Sequence, residues 1–201
     1  MSSDNRPKGN YAFIDSQNLN LGIQKMGWKL SWQKFYDFLR NQYGVEKAYL
    51  FIGYMPDNVE LYEQMHELGF LIVLKPTLEM YKNPAGTEEP LTKEQEDKKP
   101  PVKGNTDAEL VLYAVKEMPN YNKAVIVSGD GDFFSLVEYL DQQGKLEKLL
   151  APNYQYSSLL KPFDKYIERL DHHKHELRYF SRKPSGKRPQ NIDRRSQKTG
   201  Q

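Results

Sequence analysis

Five short apolar runs, each separated from the next by polar or amphipathic sequence, constrain this chain more than any other feature. They are YAFID at residues 11–15, KAYLFIGYM at 47–55, FLIVLKP at 70–76, AVIVSGD at 124–130 and KLEKLLA at 145–151. Continuous hydrophobicity over so few residues is what a strand needs when both its faces are covered. Between the runs the period changes. Trp32, Phe35, Tyr36, Phe38 and Leu39 form one helical face that ends before Gly44, and Val59 to Leu68 predicts a helix closed by Gly69. Thr106 to Met118 and Phe133 to Gln143 predict two more, the latter ended by Gly144, and a last helical region is expected over Ser157 to Phe180. Strands alternating with helices imply parallel pairing through right-handed crossovers. The expected architecture is α/β: a single doubly wound domain with about five parallel strands and helices on both faces.

A length of 201 residues suits one such domain with tails. The expected division is a disordered N-terminus over 1–10, a domain over 11–177 and a basic tail over 178–201. The stretch from Tyr81 to Pro101, rich in Pro, Lys and Glu, predicts a flexible loop at about 82–101. The net charge of +2 hides segregation: the tail carries Arg182, Lys183, Lys187, Arg188, Arg194, Arg195 and Lys198 against the single acid Asp193. With no cysteine, thiolate metal sites and cysteine nucleophiles are excluded, so any metal must be held by oxygen or imidazole. No run approaches the roughly 18 to 20 apolar residues of a membrane span, and MSSDNRPKGN lacks the apolar core of a secretory signal. A soluble, cytoplasmic protein is expected.

In doubly wound sheets ligands bind beyond the carboxyl ends of the strands, and the acids fall there. Asp15 ends the first run, Asp130 and Asp132 follow the fourth in SGDGDF, and Asp107 opens the helix that precedes it. Gly129 and Gly131 are expected to let the backbone turn tightly, so that both neighbouring carboxylates approach one point. If strands one and four are neighbours, all four acids converge. Four carboxylates in one cleft repel one another unless a cation neutralises them, and hard oxygen donors suit Mg²⁺ or Mn²⁺. Such a cation can polarise a phosphoryl oxygen, acidify a water and stabilise a leaving oxygen, which is the chemistry of phosphodiester hydrolysis.

FIDSQNL (13–19), KGNTDAELVLYA (103–114) and VSGDGDFFSLVEYL (127–140) resemble, in order and spacing, the D-x-x-N, K-G-N-x-D and S-G-D-x-D-F motifs of the NYN branch of the PIN-like nucleases, which includes the LabA-like proteins. The resemblance spans about Tyr11 to Leu170. It implies a PIN-like, five-stranded parallel sheet with an acidic pocket for Mg²⁺ or Mn²⁺, and RNA, single-stranded or structured, as the usual substrate. By the same resemblance Asp15, Asp107, Asp130 and Asp132 are catalytic, metal-coordinating acids, and Asn18 is a catalytic residue that orients Asp15, a water or the phosphate. By the same resemblance Ser128 is expected to hold a carboxylate or water and to count among the substrate contacts, and Lys103 is near enough in sequence to be expected at a scissile phosphate. From the tail, Arg182, Lys183, Lys187 and Arg188 are expected to add further contacts to RNA. One departure stands out: six residues after Asp107, where many relatives carry another acid, this chain has Tyr113. PIN-like proteins frequently dimerise, so a homodimer is an open expectation.

Blander roles compete for the same residues. Asp130 and Asp132 suit a turn followed by a helix N-cap, and Asp107 suits a helix first turn for its dipole alone. His172, His173 and His175 are expected on an exposed helix as solvated polar residues and not as zinc ligands. Tyr49, Tyr54, Tyr113 and Tyr139 are expected as core packing, with Tyr154 and Tyr156 as candidates for stacking on bases. A phosphatase of the haloacid-dehalogenase kind would need D-x-D after the first strand, where this chain has Gln17. The expected activity is a metal-dependent endoribonuclease; the alternative is an RNA-binding regulatory module whose pocket is weak or inactive.

Overall fold

The computed structural model describes residues 8–53, 59–75 and 106–180. The expected loop at 82–101, Tyr54, Lys103, Arg182, Lys183, Lys187 and Arg188 lie outside them. Strand β1 (Asn10–Asp15) runs directly into helix α1 (Ser16–Lys25), and α2 (Trp32–Tyr43) leads through Gly44 into β2 (Val45–Gly53). Gly44 takes φ 60°, the left-handed cap position that an L side chain resists. Next come α3 (Val59–Glu67), β3 (Phe70–Lys75), α4 (Asp107–Lys116) and β4 (Ala124–Val127). A 3₁₀ turn (Gly131–Phe133), α5 (Phe134–Gln142) and β5 (Leu146–Ala151) complete the alternation.

The strands form one sheet in the order β3-β2-β1-β4-β5-β6, every pair parallel. The sheet has six strands where about five were expected, and the difference lies in the expected last helix. Residues 157–180 instead make 3₁₀ turns (Ser158–Tyr166), a short edge strand β6 (Ile167–Arg169), another 3₁₀ turn (Leu170–His173) and a single helical turn (Lys174–Leu177). Pro162 inside the first of these accounts for the failure of a regular helix, because it removes a donor and crowds the preceding turn. Helix α1 is the other departure, for the expected elements include no helix directly after β1. The three histidines therefore do not share one helix: His173 lies against the Phe38 ring at 4.9 Å between centroids, and its Nε2 is 2.8 Å from Glu168.

Side-chain alternation along β1 builds two cores. Ala12 and Ile14 face the helices α1 to α3, packing with Leu19, Ile23, Phe35, Leu39 and Met65. Tyr11 and Phe13 face the opposite layer, packing with Leu110 and Ala114 of α4 and Val137 and Leu140 of α5. Phe13 is completely buried, stacked on Tyr49 at 5.6 Å and edge-on to Tyr121 at 5.7 Å. Tyr113 meets Tyr49 and Phe51 edge-on, which gives it a packing role at the position where the motif resemblance leads one to expect another acid. Tyr139 departs from its expected core place, standing 38% exposed on the outer side of α5.

The order of strands has one consequence for function. The chain builds outward from β1 through β2 to β3, then returns to lay β4 on the other side of β1. Ile14 pairs with Val127, so Asp15 and Ser128 leave the sheet side by side at its switch point.

Candidate functional site

Asp15 is the fixed centre of this region. Its carboxylate caps α1, with Oδ1 accepting the Asn18 N–H at 3.0 Å, while Ser128 donates its hydroxyl to Oδ2 at 3.1 Å. Ser128 Oγ in turn accepts the Asp130 N–H at 3.1 Å, and Asn18 Oδ1 accepts the Gly129 N–H at 2.8 Å. The start of α1 and the turn after β4 are thereby stitched together across the switch point. Of the two roles the sequence suggests for Ser128, the geometry has it holding a carboxylate: at 1% exposure its hydroxyl lies between Asp15 and Asp130. Asn18 is tied to the loop through its side-chain oxygen and to Asp15 through its backbone.

A cleft of about 380 Å³ opens above these bonds, and Asp15, Asp107, Asp130 and Asp132 all line it. The blander roles are filled at the same time. Asp130 caps the 3₁₀ turn by accepting the Asp132 N–H at 3.1 Å, and Asp107 stands in the first turn of α4. Capping and lining the cleft are compatible, since a carboxylate oxygen that accepts one N–H retains another lone pair. The starts of α1 and α4 both border the cleft, so backbone N–H dipoles there oppose part of the carboxylate charge.

Burial pushes the Asp15 carboxyl above its ordinary range, and the charges of Asp107 and Asp130 push the same way, against the Asn18 and Ser128 hydrogen bonds. At 6% exposure, the group pays for ionisation in a setting that a cation would relieve. The donors are hard oxygens, with the Asn18 and Asn153 amides beside the four carboxylates. Among the described residues, no three of the acidic or histidine side chains are already gathered into a coordination cluster.

Gly129 and Gly131 serve a different purpose from the one expected. Neither has positive φ; what each provides is room. A Cβ on Gly129 would meet Tyr156 at 3.1 Å, and one on Gly131 would collide with the Ser157 hydroxyl. The loop after β5 is thereby allowed down onto the turn. On its other side that loop is held to α1, because Asn153 donates to the Gly22 carbonyl at 2.8 Å and a Cβ on Gly22 would strike Pro152. Asn153, Gln155 and Tyr156 consequently form one wall of the cleft, and Lys25 from the last turn of α1 brings a cation to it. Of these, the sequence singles out only Tyr156; Tyr154 is 57% exposed with Arg169 5.7 Å above its ring.

The model of the NYN domain family matches residues 11–171, most of the chain. This chain belongs to the NYN domain family. NYN domains are typically nuclease-like and typically bind RNA, and domains of this kind generally depend on a divalent metal. No curated protein matches the sequence. Among solved structures, the NYN fold seen here is similar to that of a protein of unknown function from Vibrio parahaemolyticus, with a TM-score of 0.64 and 21% identity over 89% of this chain and 100% of that one. That likeness concerns the fold alone. No helix among the described residues is long and apolar enough to cross a membrane.

Proposed function

We propose that this NYN domain is a metal-dependent endoribonuclease that hydrolyses RNA phosphodiester bonds in the acidic cleft. The observation that carries the reading is that four carboxylates from three separate segments of an NYN domain line one cleft at the switch point of its sheet. The donor set fits Mg²⁺ or Mn²⁺ in kind, and Asp15, Asp107, Asp130 and Asp132 would hold the ion. When bound, the ion would supply charge to the phosphoryl group and to the leaving oxygen. The chain's own residues do the positioning. Ser128 and the Asn18 N–H fix the Asp15 carboxylate in one rotamer, Asn18 holds the turn that carries Asp130, and Lys25 on the wall offers a cation to a phosphate that the acids alone would repel. Lys103 is proposed as a further phosphate contact. Labelled RNA and DNA incubated with Mg²⁺, Mn²⁺ or EDTA test the reading. Cation-dependent cutting of RNA supports it, and cutting of DNA alone overturns its substrate.

One observation favours the second reading, an RNA-binding module with a weak pocket: Tyr113 packs edge-on against Tyr49 and Phe51 where the motif resemblance leads one to expect another acid. Tight RNA binding without cutting in either cation would establish it.

Removing the Ser128 hydroxyl leaves Asp15 short of a charge-assisted hydrogen bond, worth about 1.5–3 kcal/mol. Ser128→Ala is therefore expected to lower kcat about tenfold or more while KM changes little, as read from initial rates over an RNA concentration series. The basic tail is proposed to supply affinity and not chemistry. If about four of its cations meet phosphates, truncation after Phe180 flattens log affinity against log salt by roughly three units, at roughly 0.7 per contact on a single strand. Binding measured across a salt series for both lengths checks this, with an unchanged slope marking the tail as mere solvated charge.

A further inference from the structure

We infer that a second groove, next to the cleft along α1, is a track for the flanking strand of a single-stranded RNA, holding phosphates on Lys29 and Lys174 and a base on Tyr179. The inference rests on the ribonuclease reading for its choice of RNA. The cleft takes Leu21, Gly22 and Lys25 from α1, and the groove begins at Gln24 on the same helix, so the two adjoin along the chain. Its volume is about 620 Å³, and its walls are Gly27, Trp28, Lys29, Lys174, Arg178 and Tyr179.

Its chemistry is the reverse of the cleft's. Three cations line it and no carboxylate does. Among the described residues none of the three is ion-paired, whereas Lys75, Lys123, Lys148 and Lys165 elsewhere each face an acid. Lys29 is exposed, and Lys174 and Arg178 are half-buried. Beside them Tyr179 stands 58% exposed. It is no frayed end: Leu30 and Arg178 form an antiparallel bridge, the Tyr179 N–H bonds the Lys29 carbonyl at 2.8 Å, and the Ser31 N–H bonds the Leu177 carbonyl at 2.8 Å. The ring is thus presented from a fixed backbone. Trp28, in the same wall, is 7% exposed, and its buried indole Nε1 has no hydrogen-bond partner among the described residues.

An exposed aromatic face on a rigid support, beside cations that face no carboxylate, matches a ligand that alternates negative charges with flat π surfaces, which is a single strand of nucleic acid. A duplex presents the charges without the faces. The groove also answers an electrostatic problem, since an acidic cleft gains substrate only if the neighbouring surface attracts the strand.

The test uses full-length protein in EDTA, so that binding is read without hydrolysis, with a fluorescein-labelled single-stranded RNA of about 15 nucleotides followed by anisotropy over a salt series. Tyr179→Ala is expected to weaken binding about tenfold with its salt slope unchanged, as loss of a stacked base does, and Tyr179→Phe to restore it. Lys29→Glu is expected to weaken binding and to flatten the slope by about 0.7 or more. Lys161→Glu, an equal charge change at an exposed site elsewhere, is the control and should shift affinity less than about twofold. A duplex of the same length should not respond to Tyr179→Ala. Parental affinity in both groove variants, or losses no larger than those of Lys161→Glu, would overturn the track. Because cleavage is scored separately with Mg²⁺ or Mn²⁺, a protein that binds through the groove and cuts nothing fails the ribonuclease reading and keeps this one.

Discussion

Asp15→Asn is expected to lower RNA hydrolysis by about a hundredfold to a thousandfold, the size of losing one preorganised electrostatic contact, while the protein stays folded. The substitution is nearly isosteric. The amide that replaces the carboxylate can still accept the Asn18 N–H through its oxygen, and its nitrogen can donate to the Ser128 oxygen, so the stitch across the switch point survives while the charge is lost. A second readout separates electrostatics from damage. Burial and the neighbouring Asp107 and Asp130 raise the Asp15 pKa in the folded state above its unfolded value, so the folded protein binds the proton more tightly. That favours the native state at low pH, and the advantage is lost as pH rises through the raised value. In EDTA, Asp15→Asn should therefore melt at a higher temperature than the parent, and the gap should widen over that pH window. Cleavage at the parental rate would remove Asp15 from the site, and a lower melting point at neutral pH would assign it a structural role.

Phe13→Ala is expected to cost about 3–5 kcal/mol, a large share of the roughly 5–15 kcal/mol that holds a domain of this kind together. Phe13 sits two residues before Asp15 on the central strand, completely buried, and touches Tyr49 and Tyr121 through ring faces and edges. The cavity would open under the strand that carries the catalytic candidate. A fall in the urea midpoint at constant m-value is the sign of lost packing, and a loss below about 1 kcal/mol would mean that neighbouring rings close the gap.

The strands were legible because burial on both faces leaves them no polar alternation: YAFID and AVIVSGD stand out with no knowledge of their neighbours. Helix α1 was not, since SQNLNLGIQK buries only Leu19 and Ile23 and reads as polar loop. Strand β6 escaped for the opposite reason: three half-buried residues at a sheet edge carry no periodic signal. The acids could be found because strand ends are where doubly wound sheets do their chemistry. Asn153 and Gln155 could not, because their place depends on how closely the loop after β5 approaches Gly22, Gly129 and Gly131, a matter of missing side chains. Even the glycines of SGDGDF were recognised for the wrong property, conformational freedom in place of space. The matched NYN motifs also say nothing of the groove, which is assembled from Gln24 at the end of α1, Gly27 to Lys29 just after it, and Lys174, Arg178 and Tyr179 beyond the matched region.

The seam between β1 and β4 bears on the order in which the cleft is assembled. One carboxylate of the cleft is encoded near the start of the message, and the others follow only after residues 10–75 have laid down half the sheet. A growing chain carries Asp15 on β1 without the complete set of cleft acids until the segment through Asp132 has emerged and paired with it. Domains fold as units, and a pairing this distant in sequence forms late. Synthesis order thus delivers Asp15 first and leaves the cleft to be completed when the segment through Asp132 joins it.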